Sequence, residues 1–286
     1  IELAIGATFI SSCTTLPPKP ANVQIFTGPI QAYGFIVPKA SSQTAITAEE
    51  GYFAFGFPEG TGKAEPWMDA ALRFTRGPTA STALTTAAAI GLTGNQLKGT
   101  VPPTNTSSEV LNLVATSPTP ERTIGLMGTE VYDSRGRSLV KLLAFKAFGQ
   151  RYAYFPDSTP TSFDKKNVRD GHYTVWSPTE YLAVVDGGGA VVNASAKRIV
   201  DLVFGRRADD TTNGVDEVIG SGLVPRCAMG VQRPFEGANL SLYQDPEPCG
   251  CYYESKVPQG STACKPCQDD VPCNGGKCRR GYCEVR

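Results

Sequence analysis

Apolar and polar positions along the first 226 residues follow two patterns in turn, and each predicts one kind of element. Short apolar runs bounded by Gly, Pro or polar residues have the length of β-strands. They are LAIGATFI (3–10), YGFIVP (33–38), ALRFTR (71–76), TIGLMG (123–128), KLLAFKA (141–147), YAYFP (152–156) and the longer extended segment GHYTVWSPTEYLAVV (171–185). Because these strands alternate with helices, the pattern predicts a mostly parallel sheet with helices on its faces.

Helical features occupy four segments between these runs. They are residues 44–57, 80–91, 107–117 and 193–205. In the first segment, Thr47 is a predicted N-cap, and Glu49 and Glu50 suit the positive end of the helix dipole. In the last segment, apolar residues recur at i, i+3, i+4 and i+7, and Gly205 ends the helix.

The pattern changes after residue 226, where periodic apolar positions become sparse. Eight of the nine cysteines lie there: Cys227, Cys249, Cys251, Cys264, Cys267, Cys273, Cys278 and Cys283. Their spacing in a polar, glycine-rich segment predicts a disulfide framework and an oxidising compartment. Zinc is the alternative, because Cys264 and Cys267 have ligand spacing, but no second Cys-x-x-Cys accompanies them. Eight cysteines allow 105 pairings, and the sequence does not choose among them.

Charge and composition narrow the classes of function. The chain has 286 residues, 27 basic and 27 acidic side chains, and a hydrophobic content of 41%. Zero net charge argues against nucleic acid as a partner. No apolar run approaches the length of about 18 residues that a membrane span needs. Because the P-loop and the G-x-G-x-x-G motif are absent, we expect no cofactor, and we expect no metal.

A single histidine limits the enzyme classes. His172 is interpreted as a strand-edge residue beside a turn at Asp170 and Gly171. A hydrolase of the Ser-His-Asp or Cys-His type is the alternative, and it has only this histidine to use. We therefore expect a binding protein rather than an enzyme.

The segment FTRGPTAST joins an arginine and several hydroxyl residues to the start of the small-residue helix. In one interpretation Thr79 or Ser81 caps the helix and Arg76 is solvated. In the other, the guanidinium of Arg76 and the free N–H groups of the helix start hold an anion. Thr79, Ser81 and Thr82 then add hydroxyl groups to that site.

Several stretches, taken in order, resemble one known family. These stretches are IELAIGAT, AYGFIVPKA, AITAEEGYFAFGF, LRFTRGPTAST, SSEVLNLVATSPTPERTIGLMG, DGHYTVWSPTEYLAV and IGSGLVP. They are similar to segments of the type 2 periplasmic binding proteins, specifically the phosphate receptors of bacterial ABC importers. The similarity covers about residues 1–226. The cysteine-rich tail is no part of the usual receptor, and a receptor-like domain with such a tail resembles proteins encoded by myxobacteria and their relatives.

The resemblance implies a two-lobed α/β fold followed by a small disulfide-rich module. Its boundaries would be 1–33 and 172–226 for the remainder of the first lobe, 34–171 for the second lobe and 227–286 for the tail. The segments before and after the second lobe, 1–12 and 178–204, should share a sheet or a core.

The same resemblance implies a function. An exported protein of this kind binds a small, phosphate-like oxyanion in the cleft between its lobes and closes on it without chemistry. The partner would be an ABC transporter permease, or the protein would act as a sensor, and its location would be the periplasm, the cell envelope or the extracellular space. The alternative is a surface interaction or structural protein that keeps the fold without the ligand.

Two departures from the family's pattern fall at the implied site. The family's Gly-Ala-Ser-Asp loop corresponds to residues 6–9. Thr8 therefore matches a ligand-binding serine, whereas Phe9 replaces the aspartate that accepts the proton of a protonated phosphate. We expect selection between phosphate and sulfate to be relaxed.

The arginine loop departs from the family in part. Arg76 and Thr82 match the family's Arg-x-x-x-Ser-Gly-Thr, whereas Pro78 and Ala80 replace an acidic residue and a serine. Arg76 can still bind an oxyanion with its planar fork of donors, and Thr82 can still donate.

The family's first ligand loops lie before its Gly-Ala-Ser-Asp stretch, which comes here at residues 6–9. The resemblance therefore implies an incomplete first lobe. We expect a processed or truncated chain; the sequence upstream of Ile1 would show a signal or a lipoprotein cysteine and whether the first ligand loops exist. Cys13 would lack a partner for the same reason.

Overall fold

A computed structural model describes residues 2–13, 17–58, 65–206 and 213–284 of the chain. The strands are β1 (Leu3–Gly6), β2 (Val23–Pro38), β3 (Ala45–Thr47), β4 (Arg73–Phe74), β5 (Ile124–Gly128), β6 (Val140–Leu142), β7 (Ala144–Lys146), β8 (Trp176–Val184), β9 (Val231–Gln232), β10 (Ser241–Leu242), β11 (Lys277–Arg279) and β12 (Tyr282–Glu284). The α-helices are α1 (Ala48–Gly56), α2 (Ser81–Ala89), α3 (Ser107–Ala115), α4 (Thr129–Val131), α5 (Lys166–Arg169), α6 (Ala194–Val203), α7 (Gly214–Gly220) and α8 (Gly250–Lys256), and a π-helix spans Tyr132–Gly136.

Local sequence rules explain where the helices begin and end. Thr47 and Glu50 form a capping box at the start of α1, in which the Thr47 hydroxyl accepts from the Glu50 amide and the Glu50 carboxylate accepts from the Thr47 amide. Asn193 caps α6, and Gly205 follows that helix with a φ of +65°. The predicted helices at 44–57 and 193–205 are therefore confirmed, and the observed helices are shorter than the predicted segments.

The central sheet has six strands in the order β1-β8-β2-β5-β4, with β6 also paired to β2. The prediction of a mostly parallel sheet is wrong, because only β4 and β5 pair in parallel within it. β2 and β8 run antiparallel from Val23 opposite Val184 to Ala32 opposite Trp176. The chain crosses between the two ends of the molecule along β2 and returns along β8, and two adjacent crossings in opposite directions must be antiparallel.

The first strand joins this sheet as expected. β1 pairs with β8 from Leu3 opposite Ala183 to Gly6 opposite Glu180. Residues from the segments 1–12 and 178–204 therefore share a sheet. A different expectation fails at residues 152–156, which form no strand and contribute only one bridge, between Tyr154 and Phe145. Pro156, two residues after Tyr154, has no N–H to donate and so interrupts further pairing.

Side chains of β2 alternate between two cores on opposite faces of the sheet. Phe35 and Val37 belong to the larger core, and Ile36 belongs to the smaller one. The smaller core is closed by α3, which contributes Val110, Leu111 and Val114. The sheet thus has helical cover on the second face, as the sequence predicts.

The first part of the cysteine-rich segment belongs to the larger core. Cys249, Tyr253 and Val257 are buried in the same cluster as Phe35 and Tyr173. The predicted module is therefore packed into the main fold along this stretch, a feature that cysteine spacing alone does not indicate. The reason is that α8 and its neighbours supply apolar side chains that the sheet face would otherwise expose to water.

All eight cysteines after residue 226 form disulfides, as predicted. The pairs are Cys227–Cys249, Cys251–Cys264, Cys267–Cys278 and Cys273–Cys283. The carboxylate of Glu284 accepts from the amides of Cys251 and Tyr252 at 3.0 and 3.1 Å and so ties the end of the tail to the start of α8. Cys13 is free and partly buried.

Candidate functional site

The predicted ligand segments meet at Tyr33 in the middle of β2. This side chain is fully buried, and its hydroxyl donates to the carbonyl oxygen of Ala7 at 2.6 Å. The Ser81 side chain at the start of α2 lies within hydrogen-bonding reach of the same hydroxyl. Burial raises the pKa of Tyr33 well above its usual value, so the phenol stays neutral. Tyr33 therefore joins the loop after β1 to the start of α2.

The start of α2 carries no side-chain cap. Ala80 is the N-cap residue, with extended backbone geometry, and it makes no capping hydrogen bond. The interpretation that Thr79 or Ser81 caps the helix is therefore wrong. The turn closed by the Ala80 amide and the Gly77 carbonyl at 2.8 Å shifts Ala80 into the cap position and places Ser81 in the first helical turn. The first N–H groups of α2 thus keep the partial positive charge that a cap would reduce.

Arg76 is held beside this helix start by neutral groups. Its Nε donates to Asn105 Oδ1 at 3.1 Å, and its Nη1 donates to Ser107 Oγ at 2.8 Å. Asn105 also accepts from the Gly77 amide at 2.7 Å, which fixes the turn that carries the arginine. Among the described residues, Arg76 has no direct ion pair. Burial lowers its pKa, and the nearby charge of Glu130 raises it.

The hydroxyl groups of the arginine loop differ in exposure. Thr82 is buried, Ser81 is partly buried next to Tyr33, and Thr79 is exposed. Thr79 lines a separate pocket of about 540 Å³ together with Cys13 and Glu236. Of the predicted ligand residues in this loop, the structure thus brings Ser81 and Thr82 to the start of α2 and leaves Thr79 at its outer side.

Thr8 lies close by but is engaged by the tail. Its hydroxyl donates to Glu236 Oε1 at 3.0 Å, and Thr85 of α2 donates to the same oxygen at 3.2 Å. Glu236 Oε2 accepts from Arg233 Nη2 at 2.9 Å. Phe9, which stands beside Thr8, is buried. A carboxylate of the protein itself therefore occupies the donor that the sequence assigns to a bound anion.

Arg233 anchors that carboxylate to the return crossing. The side chains of Arg233 and Glu236 are only 4% and 5% exposed. Arg233 donates to the carbonyl oxygens of Thr174 and Trp176, and its guanidinium lies 4.4 Å from the centre of the Trp176 indole. We call this pair, Arg233 with Glu236, the tail clamp. It connects the tail to α2, to the loop after β1 and to the start of β8.

Glu130 is a second acid near Tyr33, and the sequence did not predict a role for it. Its Oε2 atom is buried and has no hydrogen-bond partner among the described residues. Burial raises the pKa of Glu130, whereas hydrogen bonding to Gln31 and the charge of Arg76 lower it. The available signal in the sequence was its place two residues after the end of the predicted strand 123–128.

The remaining chemical candidates lie apart from this region. His172 is half exposed, and its Nδ1 atom lies 2.7 Å from Asp170 Oδ1 beside the turn at Gly171. The predicted turn at Asp170 and Gly171 is confirmed, whereas His172 is not at the edge of a strand, because β8 begins only at Trp176. The sulfur atoms of Cys267, Cys273 and Cys283 lie within 4.8 Å of one another. Each belongs to a disulfide and is therefore not a thiolate that could bind zinc.

The two long antiparallel crossings β2 and β8 define the fold of the chain. The chain has the two-lobed α/β fold of the type 2 periplasmic binding proteins, with a disulfide-rich segment after it. Among the described residues, no helix is both long enough and apolar enough to cross a membrane.

Solved structures confirm this fold. The chain is similar to an ABC-type phosphate transport receptor from Vibrio cholerae, with 16% identity, a TM-score of 0.51, and coverage of 78% of this chain and 79% of that one. It is also similar to a putative phosphate ABC transporter substrate-binding protein with bound phosphate from Clostridium perfringens. Here the identity is 15%, the TM-score is 0.52, and the match covers 78% of this chain and 79% of that one. A possible phosphate binding protein from Planctomyces limnophilus is similar with 12% identity, a TM-score of 0.51, and coverage of 79% of this chain and 75% of that one. The chain matches no protein-family model and no curated protein.

Proposed function

We propose that this chain is an exported solute-binding protein that holds a small oxyanion such as phosphate at the start of α2. The observation that carries the proposal is the pairing of Arg76, which has only neutral hydrogen-bond partners among the described residues, with a helix start whose N-cap is Ala80. A guanidinium and uncapped N–H groups at one place attract an anion more strongly than either does alone.

Each residue has a role in this proposal. Arg76 donates to the anion from Nη2 and from the second N–H of Nη1, because its Nε hydrogen and one Nη1 hydrogen are already used. Thr82 donates from its hydroxyl group and the first turn of α2 from its N–H groups, Ser81 donates its hydroxyl proton only if it releases Tyr33, and Thr79 contributes from the outer side. Thr8 joins only if it exchanges Glu236 for the ligand. The protein binds the anion and its lobes close on it, and no covalent bond is made or broken.

The wider setting is part of the same proposal. The lobes are residues 1–33 with 172–226 and residues 34–171, and the tail is 227–286. Four disulfides suit an oxidising compartment, which supports the periplasm, the cell envelope or the extracellular space. The solved structures of similar fold include a phosphate transport receptor and a putative phosphate ABC transporter substrate-binding protein, which supports a phosphate-like ligand and an ABC transporter permease as a partner.

Calorimetric titration with inorganic phosphate tests the proposal. We expect weak binding, with a Kd of about a millimolar or about 4 kcal/mol, because Thr8 is already engaged. Arg76→Ala should weaken binding at least about tenfold, since a charge-assisted hydrogen bond contributes about 1.5–3 kcal/mol. Arg151→Ala removes an exposed arginine elsewhere and should bind like the parent chain.

A second function is favoured by the tail clamp. Because Glu236 supplies an internal carboxylate to Thr8, the chain could keep the receptor fold as a surface interaction or structural protein without an anion. This alternative predicts no heat from phosphate in either folded protein. Equal phosphate binding by the parent and Arg76→Ala would also contradict the proposed site.

A further inference from the structure

Three side-chain donors surround the carboxylate of Glu236. The hydroxyls of Thr8 and Thr85 both donate to Oε1, at 3.0 and 3.2 Å. Arg233 Nη2 donates to Oε2 at 2.9 Å, and the Glu236 side chain is only 5% exposed. Hydroxyl groups and a guanidinium are donors that proteins use to bind carboxylates and other oxyanions. The surroundings of Glu236 are therefore those of a bound carboxylate rather than those of a surface acid.

The two threonines come from opposite sides of the proposed cleft. Thr8 follows β1, in the segment assigned to the first lobe, and Thr85 lies in α2, within the second lobe. Arg233 follows β9 and belongs to the tail. One oxygen of Glu236 thus links both sides of the cleft, which is the kind of contact that a solute makes when two lobes close on it.

The proposed anion site lies on the same face of α2 as this contact. Ser81 and Thr85 are four residues apart in the helix, so their Cβ atoms are neighbours at about 5–6 Å on one face. Ser81 lies at the helix start, within reach of the Tyr33 hydroxyl. The Glu236 carboxylate is therefore about one helical turn from the start of α2. Two negative charges at this spacing repel each other strongly where water is excluded.

The tail keeps Glu236 close to these donors. A disulfide joins Cys227 to Cys249, and Glu236 lies in the loop that it closes. Arg233 fixes the same loop by donating to main-chain carbonyl oxygens at the start of the return crossing. A group tethered by a short loop has a high effective concentration at its binding site. A free anion must therefore compete with a carboxylate that is always nearby.

We propose that these three donors form a carboxylate-binding site and that Glu236 occupies it as a tethered competitor of the solute. The identity of that solute rests on the proposed anion site at the start of α2. When the anion binds, Glu236 leaves Thr8 and Thr85, and their hydroxyl groups become free to donate to the anion. Glu236 also lines the pocket of about 540 Å³ next to Thr79, which gives the displaced side chain room. The tail thus sets the affinity of the receptor-like fold for its solute.

Titration of Glu236→Gln with inorganic phosphate tests the competition. The amide keeps the size of the side chain and loses its charge, so phosphate should bind at least about tenfold more tightly than to the parent. This change leaves Arg233 buried without a counter-charge, so Glu236→Gln combined with Arg233→Met is measured as well and should show the same gain. Glu254→Gln removes another tail acid, paired with Arg169 at 2.9 Å, and should bind phosphate like the parent.

Rescue by acetate tests the carboxylate site independently of phosphate. Glu236→Ala leaves the three donors without their acceptor, so acetate should bind there and stabilise the native state. Relative to chloride at the same ionic strength, acetate should raise the thermal unfolding midpoint of Glu236→Ala by about 2–4 °C. The parent, whose site is filled, and Glu254→Ala should show no such difference between the two salts.

The outcomes distinguish this inference from the proposed anion site. If Arg76→Ala weakens phosphate binding while neither protein with Glu236→Gln binds phosphate more tightly than the parent, the anion site stands and the competition is wrong. If none of the proteins binds phosphate but acetate stabilises Glu236→Ala, the proposed solute is wrong and the carboxylate site stands. Equal midpoints of Glu236→Ala in acetate and chloride would overturn the carboxylate site.

Discussion

The carboxylate of Glu236 accepts a hydrogen bond from the Thr8 hydroxyl across 3.0 Å, although 228 residues separate the two in the chain. Through Arg233, the same carboxylate is tied to the carbonyl oxygens of Thr174 and Trp176 at the start of the return crossing. The tail is therefore not an appendage to the receptor-like fold. It supplies a buried charge pair at the point where the two crossings, the loop after β1 and α2 meet.

Breaking the tail clamp from one side should destabilise the chain strongly. Arg233→Met leaves the Glu236 carboxylate buried without its counter-charge, and we expect a loss of about 3–5 kcal/mol in the free energy of unfolding. The double variant Arg233→Met with Glu236→Gln should recover part of this loss, because no unpaired charge remains. Urea unfolding of the oxidised protein measures both values. A loss below about 1 kcal/mol in the single variant would show that the pair is solvated in practice.

The tail clamp illustrates what the sequence could not predict. Local rules identified Thr47 as the cap of α1 and Gly205 as the residue that ends α6, because each depends only on residues within about one turn. The contact between Thr8 and Glu236 depends on the whole fold. The spacing of Arg233 and Glu236 permits an ion pair on any turn, and nothing local shows that both side chains would be buried.

Strand direction and the cap of α2 are two further features that the sequence did not predict correctly. The order of strands and helices was predictable from periodicity, but alternation suggested a parallel sheet, whereas β2 and β8 are paired antiparallel crossings. The hydroxyl residues Thr79 and Ser81 suggested a cap for α2. The turn through Gly77 instead placed Ala80 at that position, and turn closure depends on the hydrogen bond from Gly77 to Asn105 in a distant loop.

The protonation of Glu130 should appear in the pH dependence of stability. Burial raises its native pKa above the ordinary glutamate value, so the native state binds this proton more tightly than the unfolded state does. The stability that this proton contributes to the native state is fully present below about pH 4.3 and is lost as the pH rises through the native pKa. Each unit by which the native pKa exceeds the unfolded one corresponds to about 1.4 kcal/mol.

The measurement compares the parent with Glu130→Gln by urea unfolding over this range of pH. The difference in the free energy of unfolding should change in favour of Glu130→Gln as the pH rises and then become constant. Glu2→Gln is the matched control and should show no such trend, since Glu2 is exposed and lies outside the helices and strands. A parallel pair of pH profiles for the parent and Glu130→Gln would contradict a raised native pKa.

Because α3 packs closely on β5, a single methyl group added at this contact should lower the free energy of unfolding. A Cβ added at Gly125 would lie 2.7 Å from Val114 Cγ2 and 2.8 Å from Val110 Cγ1. Gly125→Ala should therefore lower the free energy of unfolding by about 1–3 kcal/mol, because the helix must move away from the sheet. Gly220→Ala at the end of α7 meets nothing within 4 Å and should cost nothing or stabilise slightly. Thermal unfolding of the two variants distinguishes them, and equal midpoints would contradict the tight contact.

The last prediction concerns the cap position of α2. Ala80 has the extended geometry of an N-cap residue but no side-chain acceptor, so Ala80→Asp should provide the missing cap. The carboxylate would accept from the first-turn N–H groups and stabilise the fold by about 0.5–2 kcal/mol.

In the proposed anion site, the same carboxylate would take the donors and repel the ligand. Ala80→Asp should therefore raise the unfolding midpoint and weaken phosphate binding at least about tenfold, two effects of opposite sign from one change. Ala80→Ser offers a neutral cap and should stabilise the helix with a smaller loss of phosphate affinity. If Ala80→Asp gains stability and still binds phosphate like the parent, the anion does not bind at the start of α2, and Arg76 must act elsewhere.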